Sequence, residues 1–305
     1  MAGMYDDSQG WRKLTYSAGD GLQLAGRMYG FDRLDIPADR TAAICLAGLT
    51  RNSADFHELA LRIAYRSAVP RRVLALDYRG RGMSQWDKNW ENYNPLTEVD
   101  DTLAGAVAAG IGHAAIIGTS RGGMLAMAIS AIRPSMLRAV VLNDVGPEID
   151  GRGLLRIKTY IEKASDHATW SSATGALKLA AQAQFPDWDD GEWDRQARLI
   201  FTESDGKVVR RYDPALLKTL LAINLDLPLP TLWPQFAGLR AIPVLAIRGE
   251  KSDLLSPETF ARMASEQPLL EQITVARQGH APDLGMAPLA ERIDRFLVKA
   301  DTAAH

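Results

Sequence analysis

"IIGTSRGGML", Ile116 to Leu125, is the stretch on which the reading of this chain turns. A short apolar run, Ala114–Ile117, enters a knot of glycines with one serine inside it, and a longer apolar run, Met124–Ile132, leaves it. The first is short enough for a buried strand; the second is a helix stopped by Pro134. Between them the chain has to turn sharply, and such a turn strains the residue at its tip. Side chains two positions either side of the tip would collide with the adjoining strand and helix, so Gly118 and Gly122 are the permissive residues there. Glycines alone would also fit a plain strand-to-helix turn. Ser120 at the tip gives the turn something to present: an Oγ at a helix N-terminus, where backbone N–H groups favour developing negative charge.

Working outward, the first half of the chain alternates strand-like and helix-like pieces. Residues 11–30 read as a hairpin with its turn at 18–21. Ala42–Ala47, Val73–Asp77, Ala114–Ile117 and Ala139–Leu142 read as strands, and residues 52–68, 97–109 and 124–132 as helices. This βαβα order predicts a mostly parallel sheet with helices on both faces. From about Pro147 to Gly238 no strand signal stands out. The stretch carries Trp170, Trp188, Trp193 and Trp233 and reads as a helical insertion. Strand and helix then resume at 242–249, 256–266, 272–277 and 287–299. The last two strands need the earlier ones to pair with, so the expectation is one core, residues 1–146 and 239–305, interrupted by a helical cap over 147–238.

Composition narrows the function classes. Of 305 residues 47% are hydrophobic and 24% charged, ordinary for a globule with a sizeable core. A net charge of −2 offers no basic face for nucleic acid. No run of about 18 apolar residues points to a membrane span. The N-terminal "MAGMYDDSQGW" lacks the basic-then-apolar layout of a secretion signal. Cys45 is the only cysteine, so an intrachain disulfide and a thiolate metal cluster are both excluded. Its setting, "AAICLAG", makes it a small core hydrophobe. The expectation is a cytoplasmic protein acting on a small molecule, with no nucleic-acid or membrane partner. Nothing in the residues specifies an oligomeric state.

A serine hydroxyl is a weak nucleophile and needs a base. Ligands of open parallel sheets bind at the carboxyl ends of the strands. Of the five histidines, His280, in "VARQGHAPDL" just past the last expected strand, is the one on the same rim as Ser120. A base needs a carboxylate to orient it. Asp253, in "RGEKSDLLS", is the preferred candidate. Asp144, in "LNDVGPEI", is the alternative, and Glu250 is nearer a strand end than Asp253. Two backbone N–H groups are needed for an oxyanion. Arg121 follows the nucleophile and supplies one; Leu49, in "LAGLT", is the expected second. The Arg121 side chain either reads a substrate carboxylate or pairs with an acid such as Asp77 or Asp144. Arg51 and Asn52, following the oxyanion loop, are further candidates for the pocket. The histidines show no paired ligand spacing, so neither metal nor organic cofactor is expected.

Together these residues resemble the α/β-hydrolase superfamily, over nearly the whole chain. The likeness lies in "GTSRGG" at the turn, "LDYRGRGMS" (76–84), "VLAIRGEKSDLLS" around the acid and "QGHAPDL" around the histidine. The chain order Ser, Asp, His is also that of the superfamily. More loosely, the chain is similar to capped esterases and to enol-lactone or C–C bond hydrolases of bacterial catabolism. The resemblance implies an α/β-hydrolase fold with a helical cap after the sixth strand, and a hydrolase cleaving an ester or lactone through an acyl-enzyme on Ser120. C–C bond hydrolysis of a diketone-type substrate, or non-catalytic binding of a small molecule, is the alternative. Related enzymes with an aspartate nucleophile, the haloalkane dehalogenases and epoxide hydrolases, are disfavoured by Ser120. One departure stands out: the superfamily's usual His-Gly in the oxyanion loop is Ala47-Gly48 here.

Overall fold

The computed structural model describes residues 10–225 and 227–303; most of the polar N-terminus read above, and His305, lie outside them. An antiparallel hairpin comes first, β1 (Arg12–Ser17) and β2 (Gln23–Tyr29), turning at residues 18–22. β3 (Ala42–Leu46) follows, then a helical stretch over Ser53–Arg66 built of a 3-10 turn, α1 (His57–Leu61) and a π turn. β4 (Val73–Asp77), α2 (Pro95–Ala108), β5 (Ala114–Thr119), α3 (Arg121–Ile132) and β6 (Leu137–Asn143) continue the alternation. The inserted segment holds α4 (Gly151–Lys163), α5 (Trp170–Ala181), α6 (Asp190–Ile200), β7 (Phe201–Ser204), β8 (Lys207–Arg210), α7 (Leu216–Leu221) and α8 (Trp233–Ala237). β9 (Val244–Gly249), α9 (Pro257–Glu266), β10 (Leu270–Val275) and α10 (Ala287–Ala303) complete the chain.

Among the described residues, eight strands form one sheet in the order β1-β2-β4-β3-β5-β6-β9-β10, and every pair from β4 onward is parallel. The central strands read as unbroken apolar runs because both of their faces are covered. Ile44, Leu46, Leu74, Leu76 and Ile116 point into one core, Cys45, Val73, Ala75, Ala115 and Ile117 into the other. Cys45 is fully buried, and that burial pushes its thiol pKa well up, so it is an inert core residue. β3 is followed by β4 on one side, and β5 lies on its other side. That reversal leaves a crevice at the carboxyl ends of β3 and β5, where Leu49 and Ser120 stand.

The inserted segment differs from its sequence reading in one respect. Besides helices it holds the β7–β8 hairpin, whose tip is Asp205-Gly206, both residues at positive φ (50° and 72°). Asp-Gly between two short strands is a strong hairpin signal, masked here by the polar residues around it. Trp233 and Phe236 of α8 pack into the sheet core, inside the boundary expected at 238. No helix among the described residues is long and apolar enough to cross a membrane.

The glycines make a prediction of opposite signs. A Cβ on Gly122 would stand 2.0 Å from the Leu46 carbonyl oxygen, a backbone atom that cannot step aside. A Cβ on the exposed Gly175, inside α5, would meet nothing within 4 Å. Gly122→Ala is expected to destabilise by about 3 kcal/mol, and Gly175→Ala to stabilise by about 0.5–1 kcal/mol. Urea unfolding of the two variants checks both signs.

Candidate active site

Ser120 stands at the junction of β5 and α3 with φ 51° and ψ −112°, a backbone strained for any residue with a Cβ. The surrounding glycines permit it. A Cβ on Gly118 would approach the Gly122 carbonyl carbon to 2.4 Å, and one on Gly123 would meet Val145 Cγ1 at 2.4 Å. Ser120 N donates to the Asn143 carbonyl at 3.0 Å, pinning the tip to β6. Its Oγ lies 3.0 Å from His280 Nε2.

The partner of His280 is Asp144. Its Oδ2 lies 2.8 Å from His280 Nδ1, and Asp144 is fully buried. The same carboxylate accepts from Gly249 N (2.7 Å) and from Ser252 Oγ (2.6 Å). Ser252 Oγ itself accepts from Leu254 N and Leu255 N, so its hydrogen is directed at Asp144. A carboxylate so placed only accepts, and Nδ1 therefore carries the imidazole proton, leaving Nε2 to accept from Ser120.

This corrects the preference for Asp253. Asp253 binds Arg156 of α4 bidentately, Oδ2 to Nε at 2.6 Å and Oδ1 to Nη2 at 2.9 Å. Burial works to raise its carboxyl pKa, but the Arg156 guanidinium outweighs this and holds it below the usual carboxylate range. Glu250 is spent elsewhere, accepting from Arg277 N. The physical reason for Asp144 is register. Thr119 of β5 lies opposite Asn143 of the parallel β6, so the next residue of each, Ser120 and Asp144, stands at one level of the rim. Both carry positive φ, 51° and 54°.

The segments that carry the two expected oxyanion donors lie beside the serine. A Cβ on Gly48, next to Leu49, would lie 3.9 Å from Ser120 Cβ. Arg121 is the first residue of α3, so its N–H is among those with no partner inside the helix. Its side chain is drawn away: Nε bonds Glu98 Oε2 at 2.7 Å, and Glu98 also pairs with the buried Arg81 at 2.8 Å. Burial alone would raise the Glu98 carboxyl pKa, but the two guanidiniums hold it low. The side chain of Arg121 thus pairs with Glu98, rather than with Asp77, Asp144 or a ligand, and does not line the cavity. Arg81 Nε also donates to the Leu49 carbonyl at 2.8 Å, fixing the loop after β3. Asp77 accepts from Ser53 N and Met83 N, closing the loop after β4.

A cavity of about 230 Å³ opens above Ser120 and His280, with an otherwise largely apolar wall that includes Leu177, Phe185 and Trp188. Trp188 stacks on Phe185 at 4.0 Å; Trp193 is buried within the inserted segment, and Trp170 and Trp233 lie under Arg198 and Arg262. Of the other pocket candidates, Arg51 lines the cavity, paired with Asp55 at 2.7 and 2.8 Å. Asn52 does not: its side chain accepts from Ala54 N and donates to the Leu199 carbonyl. Residues missed in the sequence complete the wall. Asn143 donates to the Pro282 carbonyl and steadies the His280 loop, and Gln184 of the inserted segment accepts from His280 N at 3.3 Å. Their signal is three-dimensional, since strand register and loop contact bring them in.

Comparison with known proteins agrees with this architecture. The model of the Alpha/beta hydrolase family matches residues 43–292. The crystal structure of an alpha/beta hydrolase from Novosphingobium aromaticivorans DSM 12444 is 37% identical and superposes with a TM-score of 0.84, covering 95% of this chain and 99% of that one. Among curated relatives, a 3-hydroxybutyrate-oligomer hydrolase of Cupriavidus necator is 28% identical, over 81% of this chain and 84% of its own. A 2-(acetamidomethylene)succinate hydrolase of Mesorhizobium japonicum is 26% identical, over 81% and 86%. Fold, strand order and kinship lead to one assignment: the chain is an enzyme of the alpha/beta hydrolase family.

Proposed function

We propose that the protein is a serine hydrolase cleaving a carboxylic ester or lactone of a small molecule. The observation that carries this is the hydrogen-bonded series Asp144–His280–Ser120, at 2.8 and 3.0 Å. Ser120 Oγ attacks the acyl carbonyl while His280 Nε2 takes its proton. Asp144 holds the imidazole tautomer and steadies the imidazolium that forms. The N–H groups of Leu49 and Arg121 receive the oxyanion. His280 then protonates the leaving oxygen, and a water activated by the same nitrogen releases the acid from Ser120. Residues 147–238 act as a cap whose Leu177, Phe185 and Trp188 take the apolar part of the substrate. An ester bond fits the similarity to a 3-hydroxybutyrate-oligomer hydrolase, since a hydroxy acid oligomerises through ester bonds; the likeness extends here to the bond and not to the free carboxylate at the oligomer's end.

Two measurements test the reading. Ser120→Ala is expected to lower kcat/KM for p-nitrophenyl butyrate by about 10⁴-fold or more and to abolish labelling by a fluorophosphonate. Turnover undiminished in that variant would sink the mechanism. Asp144→Asn should lower kcat by about 10⁴-fold, because the amide stabilises the wrong tautomer. Asp253→Asn, which alters an ion pair of the wall and leaves the partner of His280 in place, should cost less than about tenfold on the same ester. The reverse order would return the acid's role to Asp253.

A further inference from the structure

We propose that the cavity selects uncharged esters over esters carrying a carboxylate, and that Asp253 sets this preference by neutralising Arg156. The inference rests on the reading of Ser120 as the nucleophile and names the substrate class of that site. Two arginines line the cavity, Arg51 and Arg156, and each already holds a carboxylate through two parallel N–H bonds. Arg51 further donates to Gln196 Oε1 at 3.2 Å. Asp283, also in the lining, is held by Arg195 and by Gln196 Nε2 at 3.1 Å, and Glu192 backs Arg195 at 2.6 Å. The guanidiniums of Arg51, Arg156 and Arg195 therefore face the carboxylates of Asp55, Asp253, Asp283 and Glu192.

Among the described residues of this wall, a substrate carboxylate finds no unpaired arginine and an excess of like charge. To bind, it must displace Asp253 from Arg156, leaving Asp253 half-buried and unpaired, or stand unpaired itself. A neutral ester carbonyl or ether oxygen needs only a single N–H. The bidentate pair uses two of the five donors on Arg156, so the rest can serve such an acceptor without breaking the pair. Discrimination then comes from a repulsive element, Asp253, as much as from attraction. Arg156 is the place to relieve it, because its pair is the more exposed, 33% and 29% against 24% and 19% for Arg51 and Asp55.

The test compares dimethyl adipate with monomethyl adipate, equal in chain length and differing in the charge of the far end, by initial rates of methanol release. Wild type is expected to favour the diester by about tenfold or more in kcat/KM, and Asp253→Asn to improve the monoester by about tenfold, chiefly through KM. Adding Arg156→Leu to Asp253→Asn should remove that gain. Equal turnover of the two by wild type, or an unchanged ratio in Asp253→Asn, overturns the proposal. Calorimetry with the same two compounds on Ser120→Ala gives the order of binding without chemistry; a monoester bound as well as the diester, or no difference between them, overturns it too. Failure of the Ser120 reading is distinguishable, since it appears as hydrolysis persisting in Ser120→Ala while the binding order stays readable.

Discussion

The close passage of α3 over the end of β3 is the constraint on which the rest of the molecule depends. At Gly122 the helix backbone comes so near the Leu46 carbonyl that a single methyl group has no room. That approach brings the first turn of α3 beside the loop carrying Leu49 and bends the chain at Ser120 into its positive-φ conformation. The strain at the serine is thus the local expression of a helix packed against a strand end. Loosening the packing would relax the serine and move it off the level of Asp144.

Charge plays the second structural part, and mostly out of reach of any ligand. Glu98 lies fully buried between Arg81 and Arg121. Arg79 is equally buried and gathers Asp101, Asp87 and Asp20 at 2.7 to 2.8 Å. Breaking such a buried cluster from one side leaves an uncompensated charge, which is far more damaging than never having had the pair. The clusters tie α2, α3, the loop after β4 and the loop after β3 into one block. Arg121 shows the logic: its N–H belongs to the serine turn, while its guanidinium is committed to Glu98.

The fold was legible because its signals are local. The β5–α3 turn needs glycine at fixed offsets, and strands covered on both faces must be apolar throughout, so β3, β4 and β5 announce themselves in composition. Ser120 and His280 were legible for a related reason, since each follows a strand at the carboxyl rim. The acid was not. Asp253 and Asp144 both follow strands at that rim, and chain order favoured Asp253. What separates them is lateral register, because Asn143 sits opposite Thr119 and Ile247, and no run of neighbouring residues reveals that. The β7–β8 hairpin was obscured differently: each strand is four residues long and buries one side chain, Phe201 or Val208, so only Asp205-Gly206 marked it.

Two of the contacts between the inserted segment and the sheet domain respond differently to salt. On one side the backbone itself is joined, Gly82 N donating to the Arg211 carbonyl and Asp213 N to that of Gly80, both at 2.8 Å. On another, exposed side chains meet, as in Arg277 with Asp187. Dissolved ions weaken the second kind of seam and barely touch the first. The ionic strength of the surroundings therefore bears on the exposed pair and leaves the backbone junction in place.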